Sequence, residues 1–268
     1  MTVTFDYTSD LHIDLTFSKA RGLSIEEYFK NASAKHLIVA GDIGHYLEQN
    51  IETLTFIKNK YRYENIILVM GNHDRYQMKG ESIGGSSKKN FSARAYENAG
   101  FIVLDGNSVD IEGCIVGGAD GWYDGQYKQK SFIDNEAKLN YWKNSLNDFS
   151  YGACSDYKEV FQEEKFKLQT LYAQCDVMVS HFRPTINENH IDIKFRELAS
   201  NMFFGFDYEQ HLKLDPRLKV WVFGHVHDCL EFQVADKRLL CNPLGYWHEH
   251  DETKYIKQFE VEIDNGNE

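Results

Sequence analysis

Cysteine is scarce in this chain and unpaired by spacing. There are five, at positions 114, 154, 175, 229 and 241, odd in number and without a CxxC. This excludes a disulfide framework or a zinc ribbon as the organising device and points to reduced thiols in a reducing compartment. Long apolar runs are also missing: none approaches the roughly 20 residues that a membrane span needs. The first residues lack the basic, apolar and small-residue segments of a secretory leader and run straight into a strand pattern, so a cytoplasmic location is the expectation. Basic charge is the third shortage. Lys and Arg number 29 against 41 Asp and Glu, giving a net charge of −12 over 268 residues. Such a chain repels long polyanions unless its basic residues cluster. The best cluster is the single pair Lys88-Lys89, beside the Gly84–Ser87 run that reads as a loop. Neither a long nucleic acid nor a membrane is therefore an expected partner. No low-complexity linker divides the chain, which reads as one domain, 1–268, with the oligomeric state open.

What remains is ordinary globular composition, with 42% hydrophobic and 26% charged residues. Short β-rich runs alternate with helical patterns. Val3–Tyr7, Leu37–Ala40, Ile66–Met70, Phe101–Leu104, Cys114–Val116, Val177–Val179, Val220–Phe223 and Arg238–Cys241 read as strands. Ile25–Phe29, Tyr46–Lys60 and Phe91–Ala99 carry helical spacing, with Leu47, Ile51, Leu54 and Ile57 on one stripe. The alternation predicts an α/β fold, and the thinner supply of helices late in the chain predicts mixed sheet. The aromatic-rich segment 121–164 reads as an insertion or lid with helical pieces.

Five of the strand patterns end in polar residues of one chemical kind. Thr8-Ser9-Asp10-Leu11-His12 follows the first, Gly41-Asp42 the second, and Gly71-Asn72-His73-Asp74 the third. Ser180-His181 and Gly224-His225-Val226-His227 follow two later ones. In open α/β sheets ligands bind beyond the carboxyl ends of strands, so these residues can converge. Three of the ends begin with glycine, which permits tight turns and close backbone approach. Carboxylate, imidazole and amide oxygen without thiolate suit divalent metals of the Mn, Fe, Co or Zn kind. Their number is too large for one tetrahedral zinc and suits two ions sharing a carboxylate, a pair able to clamp phosphate.

The ordered set DLH, GD, GNHD, H and GHVH resembles the calcineurin-like metallophosphoesterase superfamily over most of the chain, from Asp10 to His227. The resemblance implies a four-layer αββα sandwich of two mixed sheets flanked by helices. It also implies a centre of two divalent cations (Mn, Fe, Zn, Co or Ni). Asp10, His12 and His227 would bind one ion, Asn72, His181 and His225 the other, and Asp42 would bridge them. Water activated between the ions would attack phosphorus in line with the leaving oxygen of a phosphomonoester or phosphodiester, small or nucleotide-like. His73 would bind phosphate or protonate the leaving group, with Asp74 orienting it; Arg75 is expected at phosphate or in a surface salt bridge. Many members carry an acidic residue shortly after the bridging aspartate, where this chain has Ile43-Gly44-His45. His45 and His190 are candidates to line the site, Trp122, Tyr123 and Tyr127 to stack a nucleobase, and Asn242–Tyr246 to form a structural turn. The alternatives are a non-catalytic platform on the same fold and a nuclease acting on short nucleic-acid ends.

Overall fold

The interior strands of the two sheets bury both faces, because apolar residues alternate into different cores. In the computed structural model, which describes residues 1–16, 23–128, 134–251 and 253–263, the first sheet has the order β11-β1-β2-β3-β4. It comprises β1 (Thr2–Thr8), β2 (His36–Ala40), β3 (Asn65–Val69), β4 (Ile102–Val103) and β11 (Lys257–Glu262). The second has the order β5-β6-β7-β8-β10-β9, from β5 (Asn107–Ile111), β6 (Cys114–Gly118), β7 (Val177–Val179), β8 (Val220–Phe223), β9 (Leu230–Val234) and β10 (Lys237–Cys241). Interior pairs are parallel, and β11, β5 and β9 are added antiparallel. Both sheets are mixed, as expected.

Ile38 and Ala40 of β2, Ile67 and Val69 of β3, Val177 and Val179 of β7, and Val220 and Val222 of β8 form the core between the sheets. Leu37, Val39, Ile66 and Leu68 face the opposite way, against the helix residues Leu54, Ile57 and Tyr96. Met178, Trp221 and Leu239 do the same on the far side, against Leu168 and Leu171. The result is four layers, helix on sheet on sheet on helix.

The helices are α1 (Ile13–Thr16), α2 (Ile25–Tyr28), α3 (Leu47–Tyr61), α4 (Gly85–Asn98), α5 (Asn135–Ser145), α6 (Asn147–Ser150), α7 (Tyr157–Thr170) and α8 (Glu209–Leu214). Two departures from expectation share a cause. Helix α4 begins six residues before Phe91, and the Gly84–Ser87 run is its start rather than a loop. Its first turns carry no apolar stripe because Lys88 and Lys89 are themselves buried, Lys88 against Glu81 and Lys89 against Asp105, Asp120 and Glu164. They form no basic patch. Segment 121–164, of which 129–133 lie outside the described residues, packs into the outer core: Trp122, Tyr123, Trp142 and Tyr157 are fully buried.

Candidate metal and catalytic centre

The polar strand ends meet at the seam between the two sheets. Asp10, His12, Asp42 and Asn72 come from the first sheet, and His181, His225 and His227 from the second. The loops hold one another by main-chain hydrogen bonds: Asp10 N donates to Gly41 O (3.0 Å), His12 N to Asp42 O (3.1 Å) and Gly224 N to His181 O (2.9 Å). A Cβ on Gly71 would lie 2.0 Å from Asp42 Oδ1, and one on Gly224 would lie 2.8 Å from Ala40 O. Glycine is required there by space. Asp10, His12, Asp42, His225 and His227 all adopt left-handed backbone, with φ from 40° to 68°. For residues with a Cβ this costs about 1–2 kcal/mol each, strain of the kind that gathers at functional sites.

Three trios of ligand-type atoms form, each within 4.8 Å: Asp10–His12–His227, Asp42–His181–His225 and His12–Asp42–His73. Asp42 Oδ2 lies 3.8 Å from His12 Nε2 and 3.4 Å from His181 Nε2, between the first two trios. Hydrogen bonds fix where the lone pairs point. His181 Nδ1 faces Ala40 O (2.9 Å) and must donate to it, so Nε2 turns its lone pair on Asn72 Oδ1 (3.1 Å) and Asp42. Asn72 spends its amide hydrogens on Tyr76 Oη (2.9 Å) and Asp148 Oδ1 (2.8 Å), which aims its oxygen the same way. His227 Nδ1 donates to Glu249 (2.8 Å), leaving Nε2 facing His12 Nε2 (3.1 Å) and Asp10 (3.3 Å).

Lone pairs thus oppose lone pairs in a buried site, an arrangement that calls for cations. The residues fit divalent ions. Protons compete with cations for these same positions. Burial lowers the imidazolium affinities, yet Asp42 lifts His181 to about 9, and Asp10 with Glu249 lifts His227 to about 10. For His225 burial prevails, reinforced by His181, and pushes it to about 3. Despite complete burial, Asp10 and Asp42 are held below the usual carboxylate range by these imidazoles.

His73 sits at the cleft wall. Its backbone N donates to Asp42 Oδ1 (2.9 Å), its Nδ1 meets His45 Nε2 (2.9 Å), and its Nε2 lies 3.4 Å from Tyr246 Oη. The expectation that Asp74 orients it is corrected. Asp74 Oδ2 accepts the backbone N–H groups of Gly71 (2.7 Å) and Asp42 (3.0 Å), tying the GD and GNHD loops together. Burial and the Asp42 charge push Asp74 up to about 7. The carboxylate behind His73 is Asp14 instead, whose Oδ2 lies 2.7 Å from His45 Nδ1.

Arg75 reaches neither phosphate nor solvent: it is buried on Asp120 (2.7 Å) and Glu164 (3.1 Å), beside Trp122. The stacking reading of the aromatics is likewise corrected. Trp122 and Tyr123 are fully buried and Tyr127 nearly so, because the outer core needs their area. His190 stacks on Phe232, its ring centroid 4.0 Å away, and does not line the cleft. The Asn242–Tyr246 turn wraps the DLH loop, with Leu244 N donating to Ser9 O and Gly245 N to Asp10 O.

Sequence reasoning missed Asp14, Tyr76, Asp148 and Glu249, and read Tyr246 only as part of a structural turn. Asp148 binds Asn72, Tyr76 and Tyr123 together, and the Tyr246 ring stacks on His12 at 4.6 Å. None belongs to one of the five strand-end motifs.

Among known proteins, the sequence model of the calcineurin-like phosphoesterase family matches residues 3–229. No curated protein sequence matches the chain. Among solved structures, a phosphopantetheinyl hydrolase from Mycobacterium tuberculosis superposes with a TM-score of 0.76 at 17% identity, over 96% of this chain and 95% of that one. A Staphylococcus aureus protein provisionally named a 5′-nucleotidase gives 0.47 at 13% identity, over 91% of this chain and 49% of its own. Vacuolar protein sorting 29 from Cryptosporidium parvum gives 0.38 at 12%, over 97% and 86%. Matched along most of its length and folded as the resemblance implied, the chain belongs to the calcineurin-like phosphoesterase family and is a metallophosphoesterase.

Proposed function

We propose that this chain hydrolyses a small phosphodiester at a centre holding two divalent cations. The observation that carries this is the convergence of the Asp10–His12–His227 and Asp42–His181–His225 trios, with Asp42 between them. Asp10, His12 and His227 would hold one ion, Asn72, His181 and His225 the other, with Asp42 shared. When bound, such a pair activates water near neutral pH and neutralises charge developing on the phosphoryl oxygens.

The chain's own contribution is proton delivery by His73. A carboxylate only accepts, so His45 carries its hydrogen on Nδ1, facing Asp14. His45 Nε2 then accepts from His73 Nδ1–H, and Nε2 of His73 is the position that exchanges protons with the cleft. Burial pushes His73 down to about 4, against the Asp42 charge. A phosphate anion bound beside it favours the imidazolium, and Asp14 supports that charge from behind.

The shape of the cleft favours a diester. One branch, of about 350 Å³, runs past Phe195, Phe204 and Val226. Another, of about 440 Å³, runs past Asp14, Tyr46 and Tyr151. They share His73, Tyr76, Asn147 and Tyr246, so one ester arm can leave in each direction. The M. tuberculosis structure is named for hydrolysis of a phosphopantetheinyl group, and a phosphopantetheine ester joins nucleotide-like diesters among the substrates to try.

The test is turnover of bis(4-nitrophenyl) phosphate against 4-nitrophenyl phosphate by protein stripped of metal and then supplied with Mn²⁺. Metal-dependent hydrolysis with the diester preferred is expected, falling by about 10²–10³-fold or more in Asp42→Asn. Full activity of Asp42→Asn, or turnover indifferent to metal, would overturn the reading.

A further inference from the structure

Behind the Phe204 wall of the cleft lies a second cavity of about 110 Å³, which shares Phe195, Phe204 and Val226 with the first. Its lining is mainly apolar, and it contains one residue that apolar surroundings do not explain. Arg183 is 2% exposed, two residues after His181. Its Nε donates to Thr185 O (2.8 Å), while its buried Nη2 has no hydrogen-bond partner. No carboxylate pairs with it among the described residues. The two acids at the cavity rim, Asp192 and Asp228, are instead held by Lys194, at 3.4 and 3.2 Å.

A buried cation with idle donors is costly to a fold unless something accepts from it. Its planar fork matches an oxyanion. Phe204 lies with its ring 4.7 Å from that of His225, so a chain leaving the metal-side cleft crosses this ring to reach Arg183. We propose that this cavity is a substrate-arm subsite: it takes the non-transferred arm of the ester, apolar along its length and ending in a carboxylate or phosphate received by Arg183. The inference rests on the phosphodiesterase reading above and names the class of its substrate.

The experiment uses the full-length protein with Mn²⁺ and a matched set of 4-nitrophenyl diesters. Their second arms are butyl, 3-carboxypropyl and 3-phosphooxypropyl, with 4-nitrophenyl phosphate as the armless control. Wild type is expected to favour one or both acid arms over butyl by about tenfold or more in kcat/KM, expressed mainly in KM; the better of the two identifies the oxyanion. Arg183→Met should abolish this preference, so that acid-arm and butyl diesters are turned over with equal kcat/KM, and Arg183→Lys should retain part of it. A wild type indifferent to the arm overturns the subsite whether or not the variants fold, and so does a preference that survives in Arg183→Met. Turnover of the monoester with none of the diesters overturns it too. Turnover of none of the four compounds sinks the catalytic reading beneath it.

Discussion

His45 stands where the family resemblance leads one to expect a carboxylate, and the geometry supplies the carboxylate one step further away. Asp14, His45 and His73 form a line of 2.7 and 2.9 Å contacts ending at the cleft. If His73 delivers a proton, the line matters in proportion to how badly the leaving group needs one. With an alkoxide leaving group, His45→Ala and Asp14→Asn should each lower kcat by about 10²-fold. With 4-nitrophenolate, which departs unaided, the loss should be only a few-fold. A leaving-group series on both variants measures this, and equal losses across the series would remove proton delivery from His73. The sequence showed the seven candidate ligands and His73 because each follows a strand with a recognisable neighbour. The part that Asp14, Asp148, Tyr246 and Glu249 play at the site was invisible for the opposite reason. They arrive from a short helix, an insertion and a late turn, and only the fold brings them near the candidate ligands.

At the scale of elements, helix α4 on the first sheet and helix α7 on the second are joined by buried charge. Glu164 of α7 meets both Lys89 of α4 and its own neighbour Lys167, and both lysines reach Asp105 at 2.8 Å. Asp105 is pushed up by burial, but Lys89 and Lys167 outweigh this and hold it at about 2, below its ordinary 3.8. A carboxyl depressed in the folded state stabilises the protein above its unfolded pKa. That contribution is lost as pH falls from about 4 towards 2. Urea unfolding across this range should show a steep acid limb that becomes shallower in Asp105→Asn; parallel curves would show that Asp105 does not feel the two lysines. The same network explains why the start of α4 was misread. Its buried face is made of lysines, and a search for apolar periodicity passes over them. Helix α3, with Leu54 and Ile57 on an ordinary stripe, was read to within a residue at each end.

The whole molecule was the most legible level. Strand alternation gave the α/β class, and strand ends rich in Asp, His and Asn gave the location of the site. The two-sheet division came from family resemblance, because periodicity does not say which strands pair with which. The antiparallel edges β5, β9 and β11 were hard to see: β9 and β11 alternate exposed residues with buried or partly buried ones, and β5 has a single buried residue. Among the described residues no helix is long and apolar enough to cross a membrane.

Each of the two candidate ligand trios draws donors from both sheets: Asp10 and His12 with His227, and Asp42 with His181 and His225. A cation in either trio is therefore a clasp across the sandwich, and its affinity is thermodynamically linked to how firmly the sheets lie together. Linkage of this kind is reciprocal. Metal should raise the melting temperature, and loosening the sheet interface far from any donor should weaken metal. Ile67, buried mid-strand in the inter-sheet core, offers the test. Ile67→Ala should cost about 2–5 kcal/mol of stability and also weaken Mn²⁺ binding several-fold by calorimetry, although no ligand has been altered. Unchanged affinity would mean that the seam closes independently of the sheets. If the linkage holds, metal content becomes a gauge of the fold: variants scattered through the sandwich would first betray themselves as metal-poor protein, well before they unfold.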